Sequence, residues 1–131
     1  MSKLSVDFKS KTCVDCGEFK QAEEIPIHKS PNTKSGFIQL PRCKDCNSLW
    51  KLKSHLERTY GLTWEEYLKM VDEQEGKCFL CYQKPKKGKR LVVDHCHRSG
   101  EVRKLLCTTC NVFLARVERD PDYIERLKDY I

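Results

Sequence analysis

The chain has 131 residues and a formal net charge of +6, with 34% charged residues against 39% hydrophobic ones. Its length suits one ordinary domain or two very small ones, and its polar composition predicts a thin apolar core. Because it contains neither an apolar stretch near the roughly 20 residues of a membrane span nor an N-terminal secretory signal, we expect an intracellular, cytoplasmic protein with no membrane partner.

Cysteines form the most regular motif in the sequence. Eight of the nine fall into four Cys-x-x-Cys pairs, which are Cys13/Cys16, Cys43/Cys46, Cys78/Cys81 and Cys107/Cys110. Disulfides are rare in a reducing compartment, so such pairs indicate metal binding or redox work. A single pair could be a thioredoxin-like redox site, but four pairs suit Zn²⁺, which four thiolates hold tetrahedrally.

An internal repeat predicts which pairs share an ion. Cys16 and Cys43 are separated by 26 residues, Cys81 and Cys107 by 25, and asparagine follows the second pair of each unit. We therefore expect two related modules, each with a zinc knuckle, a central hairpin and a helix that begins at the second pair. Each module would hold one structural Zn²⁺, so the chain would bind two, and zinc would supply much of the folding free energy.

Residues 1–47 form the predicted N-terminal zinc module, and residues 48–76 form a predicted helical connector. Apolar residues of the connector recur at helical spacing up to Gly61, a predicted helix end. Thr63 and Glu66 form a capping-box signature that opens a second helix. A helix pair that binds a partner or dimerises is the alternative to a plain connector.

The remaining residues, 77–131, form the predicted second module, whose first part is strongly basic. Residues 77–107 carry nine Lys or Arg against two acidic residues, and the densest run, 84–90, is the predicted hairpin loop before the strand that ends at Asp94. Phosphate contacts from such a loop would give salt-sensitive binding of nucleic acid, and a solvated turn is the alternative. The candidate DNA-binding residues are Lys84, Lys86, Lys87, Lys89, Arg90, Arg98, Arg103 and Lys104.

The sequence Asp94-His95-Cys96-His97 follows an apolar run and is the candidate for chemistry. A neutral imidazole can take a proton from water near neutral pH, and carboxylate or amide oxygens can hold a hard divalent ion. Asn111 stands at the head of the following helix, so a strand, turn and helix built on zinc would bring Asp94, His95 and Asn111 together. This set suits phosphodiester hydrolysis, in which a divalent ion stabilises charge on the phosphate.

The first module lacks this acid and imidazole. At the same distance before Cys43 stand Ser30 and Pro31. A purely structural role for Asp94 and His95 does not account for this difference between the two modules.

Two further expectations concern packing. Cys96, flanked by two histidines on an alternating strand, should point to the interior as a small apolar residue, with a supplementary metal ligand as the alternative. Near the C-terminus, Asp120 as N-cap before Pro121 predicts a helix whose apolar face closes the core of the second module.

The stretch "CFLCYQ…LVVDHCHRSGEVRKLLCTTCNVFL", residues 78–114, resembles the recombination endonuclease VII group of the HNH, or His-Me finger, nucleases, which are common in bacteriophage genomes. The resemblance extends over "YGLTWEEYLKMVDEQEGKC" and "DPDYIERLKDYI", and "CVDCG" with "RCKDCN" resembles the extra zinc module often found ahead of this nuclease. It implies a small zinc-stabilised α+β fold, in which a ββα-metal, treble-clef-like nuclease module follows a four-cysteine zinc module and a helical connector.

The resemblance also implies roles. His95 would be the general base, Asp94 and Asn111 would hold catalytic Mg²⁺ or Mn²⁺, and His97 would contact the scissile phosphate or the leaving group. The implied function is a metal-dependent DNA endonuclease that nicks duplex or cleaves branched DNA, without a small-molecule cofactor, in the host cytoplasm if phage-encoded. A non-catalytic zinc protein that binds nucleic acid is the alternative. One active site per chain cuts one strand per binding event, so cutting two strands would need a dimer or two visits.

Overall fold

The computed structural model describes residues 8–131, and the chain divides into two compact units, Met1–Ser54 and His55–Ile131. Each unit combines short antiparallel strands, helices and a four-cysteine cluster, which confirms the predicted small α+β fold with two zinc modules. Within the described residues, no helix has the length and apolar character needed to cross a membrane. The finer boundaries at residues 47 and 76 stay a prediction.

The first unit follows the predicted order of knuckle, hairpin and helix. Its elements are β1 (Lys11–Thr12) paired with β2 (Phe19–Lys20), a 3-10 turn (Ala22–Glu24), β3 (Ile27–Lys29) paired with β4 (Phe37–Gln39), and α1 (Lys44–Tyr60). Its buried cluster consists of Cys13, Ile25 and Cys43 with Cys46 packed against it. Because most of this core is made of cysteines, a metal bound by them would supply much of the unit's stability.

Helix α1, within which the boundary between the units falls, ends as the sequence predicts. Gly61 follows it with φ of +66°, a left-handed conformation that glycine adopts without strain. Helix α2 (Trp64–Glu73) then begins with the predicted capping box, in which the backbone N–H of Glu66 donates to the Thr63 hydroxyl at 3.2 Å. The N–H of Thr63 in turn donates to the Glu66 carboxylate at 2.8 Å.

The second unit contains one antiparallel hairpin followed by two helices. These elements are β5 (Val92–His95), β6 (Val102–Leu106), α3 (Thr108–Arg119) and α4 (Tyr123–Tyr130). The hairpin register pairs Val93 with Leu105 and His95 with Val102, so β6 carries one extra residue opposite Asp94. This is a β-bulge, a feature that bends a strand and re-aims its side chains.

The core of the second unit lies between α2 and the hairpin. It is formed by Leu56, Tyr67, Cys78, Leu91, Val93, Leu105 and Leu106, all buried. The Tyr67 hydroxyl donates to the Leu91 carbonyl at 2.8 Å. The Gln74 side chain accepts from the N–H of Leu105 and donates to its carbonyl, at 2.9 Å each. It thus provides the backbone of Leu105 with the hydrogen bonds that a neighbouring strand would make.

Replacing Leu105 with alanine is expected to lower the free energy of unfolding of the second unit by about 2 to 5 kcal/mol, because its side chain is fully buried. Denaturant unfolding of the zinc-loaded protein measures this change. Leu68→Ala is the control, since Leu68 is 45% exposed and its loss should cost below about 1 kcal/mol. Equal costs for the two variants would contradict a core centred on β6.

The prediction that residues 84–90 form a hairpin loop is wrong. Between α2 and β5, a stretch the structure describes throughout, no residue forms a strand, and β5 pairs with β6. The basic run is instead an exposed connection from the zinc knuckle to β5. Pro85 lacks an N–H for a strand ladder, and adjacent lysines repel one another, so this segment is poorly suited to pairing.

The C-terminal helix also differs from expectation. It begins at Tyr123 with Asp122 as N-cap, while the N–H of Asp120 donates to the last carbonyls of α3. Over the fully described range Tyr123–Tyr130 no residue is buried, so the expected closing of the core by α4 is wrong. The core between α2 and the hairpin is complete without it, and Ile131, beyond the helix end, is 93% exposed.

Candidate active site and metal centres

Two clusters of four cysteine sulfur atoms lie in the predicted combinations. In each cluster all Sγ atoms lie within 4.8 Å of one another: Cys13, Cys16, Cys43 and Cys46 in the first unit, and Cys78, Cys81, Cys107 and Cys110 in the second. The Sγ atoms of Cys81 and Cys107 are 3.9 Å apart. Four sulfurs placed tetrahedrally around Zn²⁺ are about 3.8 Å apart, so the clusters suit structural zinc.

In each cluster the surroundings of one cysteine favour the thiolate, the form of cysteine that binds metal. The backbone N–H groups of Cys16 and Cys43 donate to Cys13 and lower its pKa to about 6. Burial raises the pKa of Cys78, but the backbone N–H groups of Cys81 and Cys107 outweigh it, and the pKa falls to about 6. The neighbouring Cys43 thiol raises the pKa of Cys46 to about 12, and burial raises that of Cys110 to about 12. Each cluster therefore contains a buried cysteine that ionises readily.

The second cluster anchors the hairpin and α3. The N–H of Phe79 in the knuckle donates to the carbonyl of Leu105 in β6 at 3.1 Å. Cys107 is the N-cap of α3, where its sulfur accepts from the N–H of Cys110. The end of β6 and the beginning of α3 are thus tied to the same metal-binding group.

Asp94 is buried, and its carboxylate is bound by Arg103. The Nε and Nη2 atoms of Arg103 donate to the two carboxylate oxygens at 2.6 and 3.0 Å, while the Asp94 residue is only 7% exposed. Nη1 of the same arginine donates to Glu118 of α3 at 2.6 Å. Asp94 first and then Glu118 raise the pKa of Arg103 above its ordinary value.

His95 lies between two other rings. Its centroid is 5.3 Å from the ring of Tyr60, at the end of α1, and 4.8 Å from the ring of His97. The rings of His55 and Tyr60 are nearly perpendicular, with centroids 5.6 Å apart, so a short row of rings borders His95. Such packing restricts the orientations of the His95 imidazole.

One small cavity brings the candidate catalytic residues together. It has a volume of about 220 Å³ and is lined by Tyr60, Val93, Asp94, His95, His97, Asn111, Val112, Ala115, Glu118 and Arg119. Asn111, Ala115 and Glu118 share the face of α3 that borders it, as their helical spacing requires. A carboxylate, an imidazole and a carboxamide therefore reach one site from β5 and α3.

The expected burial of Cys96 is wrong. Strand β5 ends at His95, so Cys96 belongs to the turn and is half exposed, and the alternation of a strand no longer governs its direction. The Ser99 hydroxyl, followed by the N–H groups of Ser99 and Arg98, lowers the pKa of the Cys96 thiol.

The candidate DNA-binding residues fall into three groups. Lys84, Lys86, Lys87, Lys89 and Arg90 are exposed on the connection before β5, and Arg98 is exposed in the hairpin turn. Lys104 extends its amine over the ring of Phe79 at 5.5 Å, beside a second cavity of about 840 Å³. Arg103 differs from the others because its guanidinium is engaged by Asp94 and Glu118.

Several residues that line the cavity were not predicted from the sequence, among them Tyr60 and Glu118. Tyr60 carries no signal that would connect it to His95, which is far along the chain. Glu118 could have been found, because it follows Asn111 at a spacing of two helical turns on the same face of the helix.

Comparisons with known proteins give one family and several similar chains. A family described as recombination endonuclease VII matches residues 53–131. The Gene 59 protein of Mycobacterium phage D29 is 35% identical over an alignment of 131 positions, which covers 94% of this chain and 74% of the relative. The Gene 59 protein of Mycobacterium phage L5 is 33% identical with the same coverage. The ββα-Me type II restriction endonuclease Hpy99I gives a TM-score of 0.37 at 24% identity, covering 94% of this chain and 68% of that structure.

Proposed function

Because the chain belongs to the recombination endonuclease VII family, we propose that it is a metal-dependent DNA endonuclease of the HNH type. It would hydrolyse phosphodiester bonds, by nicking duplex DNA or cleaving branched DNA. The observation that carries this proposal is the cavity of about 220 Å³ lined by Asp94, His95 and Asn111. A base and two oxygen donors beside one cavity are the groups that this hydrolysis requires.

His95 is the proposed general base. Its imidazole takes a proton from water, and the resulting hydroxide attacks the phosphorus while the bond to the leaving oxygen breaks. The rings of Tyr60 and His97 limit how far the imidazole can turn, which supports a fixed direction of proton transfer. His97 is exposed beside His95 and would contact the scissile phosphate or the leaving group.

Asp94 and Asn111 would hold Mg²⁺ or Mn²⁺, because carboxylate and carboxamide oxygens are the ligands these ions take. When bound, the ion stabilises the negative charge on the phosphate and on the leaving oxygen. A carboxylate offers about four lone-pair positions, and the two hydrogen bonds from Arg103 leave the others free for an ion. The donor set therefore fits such an ion.

The eight clustered cysteines and the exposed basic residues complete the proposal. Each cluster would hold one structural zinc ion, and the spacing of the sulfur atoms supports this. The lysines and arginines before β5, with Arg98 in the turn, would contact DNA phosphates, so binding should weaken as salt concentration rises.

Brief EDTA treatment is expected to abolish nicking of supercoiled plasmid, and Mg²⁺ or Mn²⁺ without added Zn²⁺ should restore it. Four thiolates hold zinc in a closed site, whereas an ion held by Asp94, Asn111 and water is easily removed. Plasmid nicking and elemental analysis of zinc measure the two effects. Asp94→Ala and Asn111→Ala should each raise the Mg²⁺ concentration needed for rescue, with zinc content unchanged.

Two results would contradict the proposal. Rescue by low concentrations of Zn²⁺ alone would make the catalytic ion zinc and His95 its ligand. A folded wild-type protein that binds DNA but cuts neither duplex nor branched DNA with Mg²⁺ or Mn²⁺ would instead be a non-catalytic zinc protein.

A further inference from the structure

We propose, on the basis of the proposed nuclease function, that Arg103 is a positioning residue of the active site and not a contact to DNA. Its guanidinium holds the Asp94 carboxylate in one orientation, and Glu118 holds Arg103. Together these side chains connect the three elements β5, β6 and α3 at the cavity.

The contact between Arg103 and Asp94 is a bidentate ion pair. Nε and Nη2 donate to separate oxygens of one carboxylate, at 2.6 and 3.0 Å. The Asp94 side chain is only 10% exposed, so the charged carboxylate depends on this partner in place of water. Because the guanidinium is planar, two parallel bonds also fix the plane of the carboxylate.

Two further donors of Arg103 are engaged as well. Nη2 donates to the carbonyl of His95 at 3.3 Å, and Nη1 donates to Glu118 at 2.6 Å. All three guanidinium nitrogens therefore have acceptors within the unit. Turning toward a DNA phosphate would break these bonds and leave the buried Asp94 without its partner, so this arginine is unsuited to hold the backbone of DNA.

The β-bulge provides the geometry for this contact. Two residues of β6, Arg103 and Lys104, stand opposite Asp94 alone, between the paired positions Val93 with Leu105 and His95 with Val102. Arg103 binds Asp94, while the amine of Lys104 lies over Phe79. The extra residue thus gives the two neighbouring cations different surroundings.

The ion pair with Glu118 extends this positioning to Asn111. Both residues belong to α3 and line the same cavity as Asp94. Arg103 joins Asp94 at one side and Glu118 at the other, so it sets the separation between the end of β5 and the face of α3. The two proposed ion ligands, Asp94 and Asn111, are then held at a fixed spacing by one guanidinium.

The test measures Mn²⁺ binding without DNA, by electron paramagnetic resonance on zinc-loaded protein. Arg103→Met is expected to raise the Mn²⁺ dissociation constant about 10- to 100-fold, as loss of groups that orient metal ligands does. Arg103→Lys should recover only part of the affinity, since an ammonium cannot make the paired bonds. Glu118→Gln, which keeps an acceptor and loses the charge, should have a smaller effect in the same direction.

Arg126→Met is the matched control. Arg126 also binds both oxygens of an aspartate, Asp120, but outside the cavity. The Arg126→Met variant should leave the Mn²⁺ dissociation constant unchanged. In EDTA, it should reduce DNA affinity as much as Arg103→Met does, because each variant removes one positive charge. Thermal unfolding and zinc content accompany every measurement.

Several outcomes would overturn the proposal. Tighter Mn²⁺ binding by Arg103→Met would mean that the arginine competes with the ion. Unchanged Mn²⁺ binding, with a loss of metal-free DNA affinity larger than in Arg126→Met, would make Arg103 a DNA contact. If Arg103→Met loses zinc or unfolds, the test depends on Arg103→Lys and Glu118→Gln. Mn²⁺ dissociation constants equal to that of the wild type in both variants would exclude a positioning role for Arg103. Weaker Mn²⁺ binding would support that role. A wild-type chain that neither binds Mn²⁺ nor nicks DNA would instead refute the proposed function.

Discussion

Replacing His95 with alanine is expected to nearly abolish DNA cleavage, with a rate about 10²- to 10⁴-fold below that of the wild type. The imidazole takes the proton of the attacking water in the transition state. Its loss therefore lowers the cleavage rate and leaves DNA binding in the ground state unchanged. Single-turnover nicking at saturating Mg²⁺ measures the rate. DNA affinity, measured in EDTA, and zinc content should remain close to those of the wild type.

His28→Ala provides the control for this variant. His28 lies exposed on β3 of the first unit, so its loss removes an imidazole without touching the cavity. It should cleave at the wild-type rate. Activity of His95→Ala within a few-fold of the wild type would remove His95 from the role of base.

Changing Cys107 to serine is expected to unfold the second unit and to eliminate cleavage. Cys107 contributes both a sulfur of the metal cluster and the N-cap of α3. Zinc binding by such sites is worth about 10 to 16 kcal/mol in small zinc domains, which exceeds the roughly 3 to 5 kcal/mol that the hydrophobic core of a domain this small supplies. Dispersion of amide resonances in the NMR spectrum and cleavage of plasmid measure the loss.

Cys43→Ser is the matched variant in the other cluster. It should damage mainly the first unit, because Cys43 belongs to that unit's buried core. Elemental analysis should give about two zinc ions per wild-type chain and about one in each variant. A folded wild-type protein with almost no zinc would contradict the architecture of two metal modules.

The parts of the fold that local chemistry determines could be predicted from the sequence. The internal repeat predicts which Cys-x-x-Cys pairs share an ion, and both clusters form as expected. The capping box of Thr63 and the stop at Gly61 depend on residues a few positions apart, and the structure contains both. Signals of this range require no knowledge of tertiary packing.

The parts of the site that depend on register and distant packing could not be predicted. Arg103 binds Asp94 because β6 carries one extra residue, and a bulge leaves no mark in hydrophobic alternation. Tyr60 reaches His95 through the packing of the end of α1, which no spacing reveals. The C-terminal helix has an apolar face, yet amphipathicity alone does not show that a core has room for it.

The 3.9 Å approach of Cys81 to Cys107 has a consequence for how the site is assembled. Asp94, His95 and Arg103 all lie in the 25 residues between these cysteines, so a metal that joins them turns this segment into a closed loop. Closing the loop reduces the conformational entropy that the hairpin must lose when it forms. Zinc bound by these cysteines would therefore favour the ordered hairpin that carries the proposed catalytic residues.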